Sequence, residues 1–406
     1  MWKRFQDMLR CPQCAGRLRI AVFAERDVSL ESKHAEQARA CGIADARFST
    51  YVDAGVLMCP ACAAHYPIFE GLPVLLPYET ALHDEFRRRF SRELAAFPDF
   101  RFPSREPAEG ERFVQSSFST EWRSHEFDDV IWEMDYADHE RIFLLELGGC
   151  RPRGSRDTFL DAGCGIGVTT ALAQKNFGVD AVGVDLSLAA LRATEHNRDN
   201  PFLHFVQASV FYLPFAAEAF GVIYSRGVLH HTYSTEKAFH SLAAHCSPGG
   251  SMFLWVYGPR STNDNVMRRG LFVAEHAVRG LLRGRDDGVL AKAILTPLAC
   301  AYIAFNRTRR LRDRTIQPHN FRRAMHAARD RFTPQFAHRH DREEVYTWFE
   351  AAGFIDVEEV DWRVMPSAER DNYRRNTGAR GRKVRLDAGP VDRSAIGAVS
   401  ALAGTA

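Results

Sequence analysis

The sequence predicts an α/β protein with a parallel sheet, a small cysteine-bearing domain in front of it and a helical insert within it. Between about residues 156 and 258, short apolar runs alternate with helical segments. This alternation is typical of βαβ units. Two CxxC pairs precede that region, and a basic, mostly helical segment follows it.

The composition is that of a globular protein. The chain has 406 residues, is 46% hydrophobic and 26% charged, and carries a formal net charge of +2. This length predicts two or three domains, and the balanced charge does not require a polyanionic partner. The N-terminus contains no apolar leader, so we expect a cytoplasmic protein. The longest apolar stretch, 290–305, contains Lys292 and Pro297. It is shorter than the roughly 20 residues that cross a bilayer, so no transmembrane segment is expected.

Residues 1–80 form the first predicted domain, and its cysteine spacing indicates a metal site. Cys11 and Cys14 form one CxxC pair, and Cys59 and Cys62 form the other. Four thiolates close a tetrahedral zinc site, and this spacing lets both sulfurs of a pair face one ion. The alternatives are that the four cysteines bind no metal or that they form a redox pair. The remaining cysteines are expected to be non-ligands, most of them buried thiols: Cys41, Cys150, Cys164, Cys246 and Cys300.

Four further segments follow the first domain. Residues 81–155 are a helical and aromatic connecting segment. Residues 156–258 and 341–386 form the α/β domain, with strands predicted at 158–162, 181–185, 203–207, 221–225 and 251–257. Residues 259–340 are a basic helical insert, expected to cap a substrate or to form a dimer face. Residues 387–406 are a flexible tail, since they are rich in small residues.

The stretch "FLDAGCGIGVTTALA" places a glycine-rich turn between a strand and a helix. Gly163, Gly165 and Gly167 permit positive φ and a close approach of a ligand to the backbone, to which the following helix points its N-terminus. Asp185 ends the next strand, about 20 residues on, where an acid can bind both ribose hydroxyls. Asp161 would repel a pyrophosphate and favours a ligand with a cationic or amine-bearing tail. An ordinary tight turn is the alternative.

Five ordered motifs resemble those of class I S-adenosylmethionine-dependent methyltransferases. They are "LDAGCGIG", "GVDLS", "VQASVFYLPF", "FGVIYSRGVLHHT" and "HCSPGGSMFLWVY". The resemblance covers 156–258 and the helix and strand after Glu343. It implies a Rossmann-like fold and S-adenosylmethionine as the cofactor.

The resemblance also implies which residues bind that cofactor. The turn holds the methionyl part, and Asp161 orients its amino group. Asp185 holds the ribose, and Leu186 packs on the adenine, unless it is a plain core residue. The full predicted set is Asp161, Gly163, Cys164, Gly165, Gly167, Asp185, Leu186, Ser209, Val210, Ser225 and Arg226. One departure is notable: members of the family usually carry an acid where this chain has Ser209.

The cysteine-bearing region resembles the zinc ribbon of Trm112-like proteins. The resemblance lies in "LRCPQCAGRL" and "GVLMCPACAAHYPIFEGLPVLLP". In that family the ribbon accompanies methyltransferases, as a partner or fused to them. A fused ribbon also occurs in ribosomal RNA guanine methyltransferases, which implies RNA as a second substrate class.

Two histidines are candidate catalytic bases. His230 follows the fourth predicted strand of the α/β domain, and His340 precedes the last predicted helix. Each can remove a proton near neutral pH. The alternatives are packing for His230 and, near His340, helix capping by Asp341.

We therefore expect a methyltransferase that acts on a small-molecule acceptor. The arginine-rich stretch 306–315, with Arg309, Arg310 and Arg312, leaves RNA open as an alternative substrate. A non-catalytic protein that binds the cofactor or a partner is a third hypothesis. A homodimer through the insert is also expected to be possible.

Overall fold

The computed structural model describes residues 1–42, 48–123, 130–131, 134–259, 266–282 and 288–384. The strands are β1 (Arg19–Asp27), β2 (Thr50–Met58), β3 (His65–Phe69), β4 (Leu72–Pro73), β5 (Val130–Ile131), β6 (Met134–Asp135), β7 (Thr158–Ala162), β8 (Asp180–Asp185), β9 (Leu203–Gln207), β10 (Phe220–Arg226), β11 (Cys246–Val256), β12 (Phe354–Glu359) and β13 (Thr377–Lys383).

The helices alternate with the strands of the main sheet and continue through the insert. They are α1 (Ser32–Ala40), α2 (Ala81–Arg89), α3 (Ser91–Leu94), α4 (Glu111–Arg123), α5 (Tyr136–Leu147), α6 (Val168–Phe177), α7 (Ala189–His196), α8 (Thr235–Ala244), α9 (Val266–Leu282), α10 (Val289–Arg312), α11 (Phe321–Phe332), α12 (Arg342–Ala351) and α13 (Ser367–Arg375). Short 3₁₀ turns lie at Lys3–Met8 and Leu229–His231.

The main sheet has seven strands in the order β12-β13-β11-β10-β7-β8-β9. The strands from β11 to β9 are mutually parallel, and β13 runs antiparallel to both β11 and β12. The chain proceeds from β7 outward to β9 and then returns to the other side of β7 with β10. The strand order therefore reverses between β7 and β10, and ligands of open α/β sheets bind at such a point.

The predicted strands of the sheet are found, with small differences at their ends. The first and third match the predicted bounds, whereas β11 begins at Cys246, five residues early. The sequence analysis missed β13, which pairs along most of its length with β11. Its sequence, TGARGRK, lacks the apolar run of a buried strand.

Both faces of the sheet are covered. Leu160 lies in a core cluster with Phe239 of α8 and Phe349 of α12. The adjacent residue Phe159 faces the other side, in a cluster with Phe143 of α5. This division follows from the two-residue period of a strand, and it requires the continuous apolar runs seen in the sequence.

The N-terminal ribbon is a four-stranded antiparallel sheet, β1-β2-β3-β4, and it is joined to the main sheet. Just after β4, Val74 pairs in parallel with Gln207 of β9, and the Leu75 amide donates to the Gln207 carbonyl at 2.8 Å. Arg4 donates to Asp180 at the start of β8. The ribbon thus covers the β9 edge of the sheet.

The insert consists of α9, α10 and α11, which pack around a small core of their own. Leu282, Leu295 and Phe332 belong to it. Among the described residues, α10 is the one helix whose length and composition would allow it to cross a membrane. Of its most apolar stretch, 22% is buried in the protein. The absence of a transmembrane segment stays a prediction. The predicted tail, 387–406, lies outside the described residues.

Candidate functional site

The glycine turn lies at the carboxyl end of β7, beside the point where the strand order reverses. Gly163, Gly165 and Gly167 have φ of +85°, +53° and +86°. A Cβ on Gly163 would overlap the Val228 side chain, and one on Gly167 would lie 2.7 Å from the Phe205 ring. The backbone conformation therefore disfavours a side chain at all three positions, and neighbouring side chains leave no room for one at Gly163 and Gly167. The turn thus offers backbone rather than side chains at the carboxyl end of β7, and its contact with a cofactor stays a prediction.

Asp185 faces this turn from the end of β8. Its Oδ2 accepts from the Gly165 amide at 2.8 Å, and its Oδ1 accepts from the amide and hydroxyl of Ser187 at 2.8 and 2.7 Å. Burial raises the pKa of Asp185 above its usual value, although these hydrogen bonds oppose the shift. The carboxylate is thus fixed where the turn meets the next strand.

Asp161 lies beneath the turn and is almost fully buried. Its Oδ2 accepts from the Thr170 hydroxyl at 2.7 Å, and burial raises the pKa of Asp161 to about 7. Cys164 is a buried thiol within the turn. Ser225, at the end of β10, donates from its hydroxyl to the Ala162 carbonyl at 3.0 Å. These contacts hold the ends of β7 and β10 together.

Arg226 is occupied by an ion-pair network. Its Nε lies 3.0 Å from Glu146 of α5, and its NH2 lies 2.8 Å from Glu369 of α13. Tyr224 also donates to Glu146. Burial raises the pKa of Glu146 to about 7, despite the adjacent guanidinium. The Arg226 side chain thus fixes two helices on the sheet, and its contact with a cofactor stays a prediction.

The predicted adenine pocket lies at the ends of β8 and β9. Leu186 is half-buried, and its carbonyl accepts from the side-chain amides of Gln207 at 3.0 Å and Gln115 at 3.2 Å. Ser209 is 1% exposed, and its hydroxyl accepts from the Phe211 amide at 3.1 Å. The Val210 carbonyl accepts from Ser241 of α8 at 2.7 Å.

The sequence analysis missed helix α4 as part of this site. Besides the Gln115 contact, the Ser119 hydroxyl accepts from the Leu188 amide at 3.0 Å. A Cβ on Gly165 would lie 3.4 Å from the Trp122 ring. Positions 115, 119 and 122 share one helix face. This spacing of polar and aromatic residues in the connecting segment is the sequence pattern that could have indicated the role of α4.

The two histidines that follow β10 lie beyond the carboxyl ends of β10 and β11. His230 and His231 are buried, and the His230 ring stacks on Tyr257 at 3.8 Å between centroids. His231 donates through Nδ1 to the Phe336 carbonyl at 2.8 Å. Among the described residues, neither ring nitrogen of His230 has a hydrogen-bond partner. Burial lowers the pKa of His231 to about 4 and that of His230 well below its usual value, so both are neutral at pH 7.

His340 is held by structural contacts. Its Nε2 lies 2.8 Å from the Thr235 hydroxyl, and its Nδ1 lies 2.9 Å from Glu344 Oε1. Asp341 caps α12 by accepting from the Glu344 amide at 2.9 Å, so the capping interpretation of this segment is confirmed. A catalytic role for His340 stays a prediction.

Two elements enclose the crevice from above. Trp122 of α4 packs edge-on against His326 of α11, with 4.8 Å between ring centroids, and Ser117 bonds Thr333 at 3.1 Å. Asp330 of α11 is partly buried, and desolvation raises its pKa to about 6. The connecting segment and the insert therefore meet over the carboxyl ends of the strands.

The four ribbon cysteines converge on one point. Their sulfur atoms all lie within 4.8 Å of one another, with Cys11 and Cys62 3.5 Å apart and Cys14 and Cys59 3.4 Å apart. Four thiolates around Zn²⁺ at about 2.3 Å require sulfur–sulfur distances of this size. The residues present therefore fit a tetrahedral metal ion. Contrary to expectation, the thiol of Cys300 is exposed rather than buried, since it lies on the outer face of α10.

Comparison with known families assigns two segments of the chain. Residues 160–254 match the methyltransferase domain family, and residues 3–71 match the Trm112p-like protein family. Both predicted resemblances are thereby confirmed, with the segment that matches the Trm112p-like family preceding the one that matches the methyltransferase domain family.

Two curated relatives match parts of the chain. An uncharacterized protein of Synechococcus sp. is 32% identical over 114 residues, which are 27% of each chain. Phosphoethanolamine N-methyltransferase 2 of Caenorhabditis elegans is 28% identical over 125 residues, or 30% of this chain and 28% of the relative. The matched region thus spans about a quarter of each relative's length.

Solved structures of low similarity include methyltransferases. Phosphoethanolamine N-methyltransferase 2 of Haemonchus contortus has a TM-score of 0.41 at 15% identity, with 70% of this chain and 62% of that chain covered. A Haloferax volcanii complex of the Trm112 methyltransferase activator with a methyltransferase gives 0.39 at 15% identity, with 67% and 98% covered.

Proposed function

We propose that this chain is an S-adenosylmethionine-dependent methyltransferase that transfers the methyl group directly to a small-molecule acceptor. One observation carries the proposal. A turn without side chains, Gly163–Gly167, meets the fixed carboxylate of Asp185 at the point where the strand order of the sheet reverses. The matching methyltransferase domain contains both.

The chemistry of the crevice suits this cofactor better than a dinucleotide. Asp161 lies at the turn, where its carboxylate would repel a pyrophosphate. An adenosyl sulfonium offers ribose hydroxyls to Asp185 and a cationic amino acid part to the backbone turn and Asp161. Burial keeps the Asp161 pKa near 7, so this group can exchange a proton as the ligand binds.

The sulfonium, when bound, supplies a methyl carbon already activated for displacement. The residues of the chain then have to hold donor and acceptor in line and exclude water. Trp122 and α11 close the crevice above the turn. His230 and His231 are neutral, so each can accept a hydrogen bond from an acceptor group. The low pKa makes either a weak general base, which favours orientation over proton removal.

The enclosure of the acceptor side favours a small acceptor over RNA. His230 and His231 are buried, and the segment before α12 covers this region: the His338 amide donates to the His230 carbonyl at 3.0 Å, and the His340 amide donates to the Tyr257 carbonyl at 2.8 Å. The relative from C. elegans is a phosphoethanolamine methyltransferase by name, which also supports a small molecule. The arginine cluster lies elsewhere, at the end of α10, and Arg310 Nε donates to the Ile316 carbonyl at 3.0 Å.

The ribbon would hold a structural zinc ion through Cys11, Cys14, Cys59 and Cys62. The Tyr66 hydroxyl lies 3.2 Å from the Cys11 sulfur and supports it. All four ligand positions are supplied by protein, which is the pattern of a structural site and leaves no open position for chemistry.

Two experiments test the proposal. Calorimetry measures the binding of S-adenosylhomocysteine, and incubation of the protein with isotope-labelled S-adenosylmethionine and small-molecule extracts shows which molecule gains the label. We expect one bound cofactor per chain and a labelled small product. Asp185→Ala should weaken binding strongly, whereas Glu195→Ala, an exposed acid on α7, should not. Binding without turnover of any acceptor would support a non-catalytic role, and label in RNA would support the RNA alternative. Absence of binding would reject the proposal.

A further inference from the structure

Helix α4 places a carboxylate beside the one departure from the methyltransferase pattern. Ser209 stands where an acid usually accepts the adenine amino group, and the serine offers no charge there. The Ser209 side chain lies close enough to Glu111, the first residue of α4, to lower the pKa of its carboxyl. It comes from a segment 98 residues earlier in the chain, outside the matched methyltransferase domain.

The position of Glu111 is well defined. Its side chain is 5% exposed, and its Oε2 accepts from the Ala108 amide at 2.9 Å. Its two polar neighbours, the Ala108 amide and the Ser209 side chain, are both neutral. A carboxylate has about four acceptor sites, so lone pairs remain for a further donor. The N-terminus of α4 favours the charged form, whereas burial raises the pKa of Glu111.

The same helix follows the predicted adenosine pocket along its length. Glu111 meets Ser209, Gln115 meets the Leu186 carbonyl and Trp122 meets Gly165. These positions lie at i, i+4 and i+11, which is one face of a helix. Because Gln115 contacts Leu186 and Glu111 lies one turn earlier on the same helix face, near Ser209, its carboxylate is placed to meet the edge of a base.

We propose that Glu111 replaces the absent acid and accepts the amino group of the cofactor's adenine. This inference rests on the proposed function. It assigns adenine recognition to the segment before the methyltransferase domain, so that α4 binds the cofactor as well as covering it.

The test compares two probes that differ at the base. S-adenosylhomocysteine carries an amino group at C6, and S-inosylhomocysteine carries an oxygen that a carboxylate repels. A buried hydrogen bond to a charged group corresponds to a preference of at least about tenfold. We expect the wild-type protein to prefer the adenosyl probe by this factor in calorimetry, and Glu111→Gln to lose the preference, because an amide serves either base.

Controls separate the possible failures. Glu109→Gln, an exposed neighbour, should keep the preference. Adding Ser209→Asp to Glu111→Gln should restore it, because the acid returns to its usual position. If Glu111→Gln fails to fold, Glu111→Asp replaces it and should reduce the preference. Undiminished preference in folded Glu111 variants would overturn this inference alone. Absence of binding of either probe by the wild-type protein would overturn the proposed function.

A second, independent observation concerns the outer face of α10. From Val289 to Asn306 the helix has one charged residue, Lys292, and Phe305 is 61% exposed. The opposite stripe, which includes Leu295, is buried in the core of the insert. The apolar outer face therefore has no partner among the described residues.

Basic residues lie at the end of α10 and just after it. Arg307, Arg312 and Arg314 are exposed, and Leu311 among them is 78% exposed. Exposed apolar side chains beside arginines match the boundary of acyl chains and anionic headgroups. RNA would pair with the arginines and leave Phe305 and Leu311 uncovered.

We infer that α10 lies on the surface of an anionic lipid bilayer. In flotation assays the protein should bind vesicles that contain about 30% phosphatidylglycerol and bind phosphatidylcholine vesicles much less. Phe305→Ser with Leu311→Ser should abolish binding. Ile355→Ser on β12, a comparably exposed apolar residue, should not. Failure to bind anionic vesicles would overturn the inference. The inference would also be overturned if sedimentation showed a dimer that forms without lipid and that dissociates in the double variant.

Discussion

Replacement of Gly167 by alanine tests the physical basis of the glycine turn. Gly167 has φ of +86°, and a Cβ there would lie 2.7 Å from Phe205 Cε1 and 3.1 Å from the Ala193 Cβ. Phe205 is a buried strand residue and Ala193 belongs to α7, so neither can move far. The substitution therefore combines backbone strain with overpacking.

The magnitude follows from these two costs. A left-handed conformation costs a non-glycine residue about 1–2 kcal/mol. Overpacking of a core adds about 1–3 kcal/mol. We expect Gly167→Ala to lower the free energy of unfolding by about 2–5 kcal/mol, which is a large share of the stability of a typical domain.

Urea unfolding, with tryptophan fluorescence as the readout, measures the change in the free energy of unfolding. Gly280→Ala is the matched control, because it lies in α9 with nothing within 4 Å of its Cβ position. Alanine there should stabilise the helix by about 0.5–1 kcal/mol. A loss below 1 kcal/mol for Gly167→Ala would refute the argument that this position excludes side chains.

Three further substitutions test single features. Burial raises the pKa of Asp161 from 3.8 to about 7, so this group makes the wild-type protein lose stability as pH rises from 4 to 7. In urea titrations across pH, Asp161→Asn should remove up to about 4 kcal/mol of that loss in the free energy of unfolding. An unchanged loss would contradict the assignment. Elemental analysis should find about one zinc per chain in Cys300→Ser and much less in Cys14→Ser, and equal contents would reject the site. Asp341→Ala should cost about 1 kcal/mol by loss of the α12 cap, measured by thermal unfolding, and no change would refute that cap.

The sequence predicted the parts of the fold that burial dictates. Strands β7 to β10 are covered on both faces, so they are continuous apolar runs between turns, and their order along the chain predicts the sheet. The cysteine spacing predicted the metal-binding geometry for a similar reason. Two CxxC pairs leave few ways to place four sulfurs other than around one ion.

The remaining features depend on contacts between distant segments. Strand β13 has a polar sequence because Arg380 and its neighbours pair with residues of α5 and β12, which the local pattern does not contain. Arg226 follows the predicted strand closely, but its partners Glu146 and Glu369 are 80 and 143 residues away. Such pairs have no local period, so residue spacing cannot reveal them.

The position of the ribbon connects the metal site with the cofactor crevice. An exposed edge strand offers unpaired backbone groups, and β9 is such an edge in the main sheet. The segment after β4 covers it, because Leu75 donates to the Gln207 carbonyl. Gln207 in turn donates to the Leu186 carbonyl at the predicted adenine pocket. The ribbon therefore supports the wall of that pocket through one residue, and a separate Trm112p-like protein could not pair with the same edge while the fused ribbon occupies it.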